Sequence, residues 1–378
     1  MATGRETAAK EKQLNATILM NVTPEPQSKQ ALIDFMKRYR EALNYSVSAV
    51  IAHRALDTDK AYKLLYRELI DKYGLPGLCA VSCYLQAIDI AKSWLSLPNR
   101  GDKPPTVKRL AMSLRPQCYT FKDGKVELIG GYKLRADSWD KRYDGYPNGQ
   151  AQLVYNDKED KFTLHIIKHV PRLPKYRPTG VLAVDINERE IVIGNSSGET
   201  RIKTPIDKAL HYVALADKLK KKYSSPGYNA WARRSGIRER VNYFNKKASD
   251  IIEDWARKLA LRIVEDAEQN QLAIAREDLT GLYESVQELP KSHRRALIWL
   301  GYSKLEHWID WEAEKNGVPV VIVDPAGTST TCPKCGTKLV EAGYRRLKCP
   351  ACGFEGDRDS IAVLNIEKRA LSKIGLDK

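Results

Sequence analysis

Apolar and polar residues alternate along Asn15–Val22 (NATILMNV), which predicts a strand, closed by Pro24 and Pro26. From Gln27 the period lengthens. Leu32, Phe35, Met36, Tyr39, Leu43 and Val47 recur three or four apart, with Lys37, Arg38 and Arg40 between them, and predict an amphipathic helix. Two further helices are expected over about Thr58–Tyr73 and Leu78–Leu97, broken by Gly74–Pro76 and Pro98. After Gly101–Pro105 the pattern changes to the short strands VKRLAMSL, QCYTFKD, KVELIGGYKL, AQLVYND and KFTLHIIKHV, joined by Asp-Gly, Gly-Tyr-Pro-Asn-Gly and Asn-Asp turns. An antiparallel barrel or sandwich is the expected result, with the helices inserted after its first strand. His165 and His169 share one face of a strand and read as half-exposed polar positions rather than metal ligands.

The Pro-rich basic segment Pro171–Thr179 marks a domain boundary. Beyond it, GVLAVDINEREIVIGNSSGETRI predicts two apolar strands and a turn, the first ending on Asp185. A long helical region follows over about Ile206–Asn270, interrupted at Ser224–Gly227. LAIAREDL reads as a buried strand ending on Glu277 and Asp278, then comes a helix over about His293–Asn316, and GVPVVIVDP is a third strand ending on Asp324. Strands, helix, strand, helix, strand, helix is the element order of an RNase H-like α/β fold. Met1–Lys12 is polar and expected to be at least partly disordered.

Charge and cysteine spacing add chemistry to this outline. The chain has 378 residues, enough for two or three domains, and a formal charge of +16 with 43% hydrophobic residues. A foldable core with that cationic excess points to a polyanionic partner, nucleic acid first. No apolar run is long enough to span a bilayer and no signal segment is evident at Met1, so a soluble, cytoplasmic protein is expected, with no membrane partner. Lys218, Lys220, Lys221, Lys222, Arg233, Arg234, Arg238, Arg240, Lys246 and Lys247 are interleaved with Tyr223, Tyr228, Trp231, Tyr243 and Phe244. Such a run is ordinarily a solvated helix face, but in a chain this basic it also suits phosphates and stacked bases.

Cys332/Cys335 and Cys349/Cys352 form two Cys-x-x-Cys pairs, thirteen residues apart and each followed by Gly. Four thiolates at this spacing suit one tetrahedral Zn²⁺ with no open position, hence a structural ion; buried thiols or two disulfides are the alternative. Cys79, Cys83 and Cys118 leave an odd remainder that suits a reducing compartment. Three carboxylates stand out beside this ribbon: Asp185 and Glu277 at strand ends, and Asp359 at or beside the N-cap of the closing helix. Singly, each reads as an exposed strand-end charge or a helix cap. Together, in an RNase H-like fold, they suit two Mg²⁺ ions and the hydrolysis of a phosphodiester by water.

Asp185 in VLAVDI, Glu277 in REDL, the TSxxCxxCG of Thr328–Gly336, the second CxxCG, and D-x-x-A-x-x-N-I over Asp359–Ile366 together resemble the TnpB family of transposon-encoded RNA-guided DNA nucleases, related to compact type V CRISPR effectors. The match is strongest over Gly180–Ala370; the N-terminal half is similar in architecture alone. The resemblance implies a disordered start and first wedge strand (1–26), a helical recognition domain (27–100), a wedge β-barrel (101–178), a RuvC-like nuclease domain (179–327), a zinc ribbon binding target nucleic acid (328–355), and a RuvC-like closing helix and tail (356–378). It further implies a guide noncoding RNA and a single- or double-stranded DNA target chosen beside a short flanking motif, with Asp185, Glu277 and Asp359 catalytic. Ile361 and Val363 stand where the family usually has Asn and Ala, and Ile361 is expected to alter support of the site. Rival expectations are a guided repressor that does not cut and a structure-selective nuclease needing no guide; a transposase fits less well, since no strand-joining apparatus is recognisable.

Overall fold

The computed structural model describes residues 14–225, 227–279 and 302–376. The polar start, Pro226, and the stretch 280–301 with the beginning of the helix expected from His293, lie outside the described residues. The chain divides into two compact units, with the boundary between Pro171 and Arg172.

In the first unit β1 (Leu14–Pro24) buries every second residue, Ala16, Ile18, Met20, Val22 and Pro24, as its alternation predicts. Three helices come next, α1 (Lys29–Ala52), α2 (Thr58–Asp71) and α3 (Gly77–Leu95). α2 is capped by Asp57, whose carboxylate accepts from Lys60 N at 2.8 Å. Six strands follow: β2 (Leu110–Leu114), β3 (Tyr119–Lys122), β4 (Lys125–Leu128), β5 (Tyr132–Ala136), β6 (Asn148–Asn156) and β7 (Lys161–Val170). The expected strand KVELIGGYKL is thus two, β4 and β5, folded back at Gly130–Gly131, both at positive φ. All seven strands form one antiparallel sheet in the order β2-β6-β7-β1-β5-β4-β3. Its edge strands β2 and β3 are consecutive in the chain, and Tyr119 of β3 donates its hydroxyl to Gly149 O in β6, so the sheet curls towards closure. The helices are inserted between β1 and β2. One hydrophobic core runs through helices and sheet together, and contains Cys79, Cys83 and Cys118 as small buried side chains.

The second unit begins with the Pro-rich segment, which is fastened down: Tyr176 donates its hydroxyl to Leu272 O (2.7 Å) and Ala267 O (3.1 Å), and Arg172 pairs with Glu314. Next come β8 (Gly180–Ile186), β9 (Glu190–Asn195), β10 (Gly198–Lys203), α4 (Ile206–Lys222), the single turn α5 (Ala230–Arg233), α6 (Ser235–Gln269), β11 (Leu272–Glu277), α7 (Tyr302–Asn316) and β12 (Val320–Val323). β10 departs from the expected two strands. It has no apolar face to announce it, being mostly exposed, and is held by pairing with β9 from Gly198/Asn195 to Lys203/Glu190. The ribbon strands β13 (Val340–Gly343), β14 (Arg346–Lys348) and β15 (Glu355–Asp357) lead directly into α8 (Arg358–Ile374).

The main sheet of this unit has the order β10-β9-β8-β11-β12, antiparallel on one side of β8 and parallel on the other. Period 2 assigns its two faces. Leu182, Val184 and Ile274 pack with Ala256, Ile263 and Ile309 of α6 and α7. Val181, Ala183 and Ala275 pack with Val363, Ile366 and Ala370 of α8. Among the described residues no helix is long and apolar enough to cross a membrane.

Candidate functional site: three acids beside a four-cysteine ribbon

Residue parity places Asp185 and Glu277. Asp185 continues the Val181, Ala183 face of β8, and Glu277 continues the Ala273, Ala275 face of β11, so both carboxylates lie on the side covered by α8. They are in register, one residue past the parallel pair Val184/Arg276, on neighbouring strands about 4.8 Å apart. Asp359 is the second residue of α8, buried at 3% exposure. The helix cap is Asp357, which corrects the expectation for Asp359: Asp357 accepts from the N–H groups of Asp359 (3.0 Å) and Ser360 (3.4 Å) and is paired with Arg201 at 2.8 Å. An Asx cap needs its carboxylate turned back onto the helix end. Asp359, inside the first turn, is free of that task.

The acids share one electrostatic environment. Burial, then the neighbouring Glu277, raise the Asp185 carboxyl to about 7 against the pull of Asn187, with Asp359 adding to the rise. Burial also raises Glu277, opposed by a hydrogen bond from Thr328 and the charge of Arg369, and reinforced by Asp324. Each carboxylate has a protein partner. Asn187 Nδ2 donates to Asp185 Oδ2 (2.6 Å), Thr328 Oγ1 donates to Glu277 Oε1 (2.5 Å), and Arg345 Nη2 pairs with Asp359 Oδ2. Thr328 is held in turn, since Asn365 Nδ2 donates to Thr328 O and Thr331 O, both at 2.7 Å. Arg345 projects from the β13–β14 turn at φ +59°, and its carbonyl accepts from Arg358 N at 2.8 Å. On the other face of β11, Arg276 donates to Glu277 O and forms ion pairs with Glu306 (2.6 Å) and Asp310 (2.7 Å).

These partners were not singled out in the sequence. Thr328 and Asn365 lie within the two motifs quoted above, and that position was the available signal. Asn187 and Arg345 carried none. Ile361 is wholly buried and packs with Cys332, Leu339, Leu347 and Cys349, joining α8 to the ribbon core, while Val363 packs under the main sheet.

The four ribbon sulfurs lie within 4.8 Å of one another, the Cys332–Cys352 pair at 3.6 Å and the Cys335–Cys349 pair at 3.4 Å. A tetrahedral ion with Zn–S bonds of about 2.3 Å needs S–S edges of about 3.8 Å, so the donor set and its size fit structural zinc. Each knuckle is closed by a backbone bond, Gly336 N to Cys332 O and Gly353 N to Cys349 O, with both glycines at positive φ. Among the described residues this is the one group of three or more candidate ligands gathered so tightly. The three carboxylates stand further apart.

A five-stranded mixed sheet with acids at adjacent strand ends, and a cysteine ribbon opening into the helix that covers them, defines a class that comparison with known proteins makes specific. The family model described as Cas12f1-like, TNB domain matches residues 302–366. A TnpB-like protein of Methanocaldococcus jannaschii is 30% identical over 198 residues, half of this chain and 69% of that protein. The CRISPR-associated endodeoxyribonuclease Cas12f1 of Sulfoacidibacillus thermotolerans is 37% identical over 76 residues, 18% of each chain. Among solved structures, a Cas12f1–sgRNA–target DNA complex matches at TM-score 0.57 and 13% identity, covering 91% of this chain and 83% of that one; at such identity the likeness is one of fold alone. The chain belongs to the TnpB family.

Proposed function

We propose that this protein is an RNA-guided DNA endonuclease that hydrolyses phosphodiester bonds at Asp185, Glu277 and Asp359. The observation that carries the proposal is the placement of Asp185 and Glu277 in register at the ends of two adjacent parallel strands, on the face where α8 begins with Asp359. Counted within the sheet, the strand order is 3-2-1-4-5, which supports an RNase H-like, RuvC-like reading of the second unit. The two raised carboxyls are those of acids crowded together in a poorly solvated place, a donor set suited to divalent cations. With Asp359 they make three carboxylates, a set suited to a pair of Mg²⁺ ions.

When bound, two such ions supply a nucleophilic water at neutral pH and stabilise charge on the attacking and leaving oxygens. The chain's own residues then have separate tasks. Asp185 and Glu277 provide anionic oxygens from rigid strands. Thr328 orients Glu277 and opposes the rise that burial imposes on its carboxyl, because a hydrogen bond to a carboxylate favours the charged form. Arg345 brings a cation to the edge of the site, facing Asp359.

The first unit supports a guided mechanism. A fold of the second kind needs half of the chain, and the remainder offers exposed Lys37, Arg38, Lys60, Lys63 and Arg67 on its helices. Such a surface suits an RNA held by its phosphates and A-form shape. Relatives in sequence and fold are named as an endodeoxyribonuclease and as a complex with guide RNA and target DNA. In this reading the inserted helices form the recognition part, the curled sheet the wedge, and the ribbon, with one Zn²⁺, the target-binding part. Pairing with the guide selects the site beside a short flanking motif. The test is to supply the co-purifying noncoding RNA with a changed 3′ guide segment: cutting should move to the matching DNA site, and cutting at unchanged sites by RNA-free protein would overturn the guided reading.

A further inference from the structure

The β13–β14 turn carries Tyr344, 92% exposed, well above the other exposed large hydrophobic side chains among the described residues, which reach 58%. Scattered surface aromatics are common, but an amphipathic ring usually lays its body on neighbouring apolar groups. This ring stands out from a firm frame. Leu347 behind it is buried in the ribbon core, β14 is paired on both sides, and the next residue, Arg345, is fixed through its carbonyl to Arg358 N and through its guanidinium to Asp359. Adjacent Cα atoms are about 3.8 Å apart, so Tyr344 stands at the rim of the acid site, one residue and one arginine side chain from Asp359. Cations lie beside it: Arg345, Arg346 and Lys348 are exposed on the turn and β14, Arg345 paired to Asp359 and Arg346 to Glu355 at 3.3 Å, with Glu341 exposed on β13.

An open ring face among cations matches a ligand that presents a π-face beside phosphates. Single-stranded nucleic acid has that chemistry, and base–aromatic stacking tolerates any sequence. In a duplex both faces of a base are already stacked. We propose that Tyr344 is a stacking platform for an unpaired base of the DNA strand entering the acid site, and so a positioning residue that favours single-stranded substrate there. The inference rests on the nuclease reading of Asp185, Glu277 and Asp359.

The experiment uses the zinc-loaded full chain and an oligo-dT of about twelve nucleotides, beside a duplex of the same length. Because the side chain is exposed, Tyr344→Ala leaves the ribbon core untouched. It should weaken oligo-dT binding about tenfold, whereas Tyr344→Phe and Tyr344→Trp stay within about threefold of the parent. In Tyr344→Trp, oligo-dT should quench fluorescence beyond the parent's response, and duplex should not. Unchanged binding by Tyr344→Ala, equal quenching by duplex, or no oligo-dT binding by the parent would each overturn the proposal; the first would leave a protein contact as the use of the ring. A parent that binds and a tryptophan variant that is quenched, with no cleavage by guide-loaded protein in Mg²⁺, would instead refute the nuclease reading and leave the stacking platform standing.

Discussion

The cysteine ribbon and the acid site adjoin along α8, and they gather their donors in opposite ways. The four sulfurs come from two short knuckles within twenty-one residues, each closed by its own backbone bond, and they already sit at the spacing of one ion's shell. The three carboxylates come from β8, β11 and α8, and are brought to one face by strand register and helix packing. Each is held by a separate hydrogen-bonding or ionic partner, and they remain further apart than the sulfurs. A closed local site suits an ion that stays as structure. A site assembled from distant elements suits ions that must also meet a substrate.

The sharpest contrast within the acid site is between two aspartates two residues apart. Asp359→Ala should reduce cleavage by about a hundredfold or more, while Asp357→Ala, which removes a helix cap and the Arg201 pair, should cost about tenfold or less. Rates of the two variants on one DNA substrate check this, and the reverse ranking would move the site to Asp357. On the ribbon side, Cys349→Ser should abolish stoichiometric zinc and disorder residues 328–357 while the first unit keeps its structure, since its core is separate. Elemental analysis with hydrogen exchange reads both effects, and native protein without zinc would contradict the assignment.

How far each region can be read from sequence follows the same division. Spacing alone located the ribbon, because its ligands are local. Asp185 and Glu277 were legible because the apolar run VLAV ends on Asp185, and LAIA gives way through Arg276 to Glu277. Their supports were not. Thr328 reaches Glu277 across fifty-one positions, and Asn365 reaches Thr328 across thirty-seven, so pairing depends on sheet order and the turn before the ribbon. The exposed edge strand β10 was missed for lack of an apolar face. Ile361 was read as a departure from the family pattern at the acids, yet its side chain fills the ribbon core. The cap went to Asp357 because two Asp residues of equal propensity compete there, and backbone geometry decides between them.

Smaller effects probe the supports. Thr328→Val removes the donor that lowers the Glu277 carboxyl, so that carboxyl should rise further and ionise at higher pH. Cleavage should fall about tenfold at neutral pH, and the rising acid limb of the pH–rate profile should move upward; an unshifted limb would show that Thr328 does not tune Glu277. The mildest test concerns stability without Mg²⁺. The Asp185 carboxyl, at about 7 in the fold against an ordinary 3.8, imposes no cost below about pH 4, a growing cost between about 4 and 7, and its full cost above. Asp185→Asn should therefore be more stable than the parent at pH 8, by on the order of 4 kcal/mol at most, with the difference vanishing near pH 4. Mg²⁺ at pH 8 should raise the parent's Tm more than the variant's.

The central claim is that Asp185, Glu277 and Asp359 act together on a bound strand that other residues hold. It is tested most directly by guide-loaded protein in Mg²⁺ on DNA containing the complementary site, comparing the parent with Glu277→Ala and measuring binding and cutting in the same reaction. The account predicts binding within about threefold of the parent and cutting reduced by about a hundredfold or more. Cutting by Glu277→Ala at the parent's rate would contradict it.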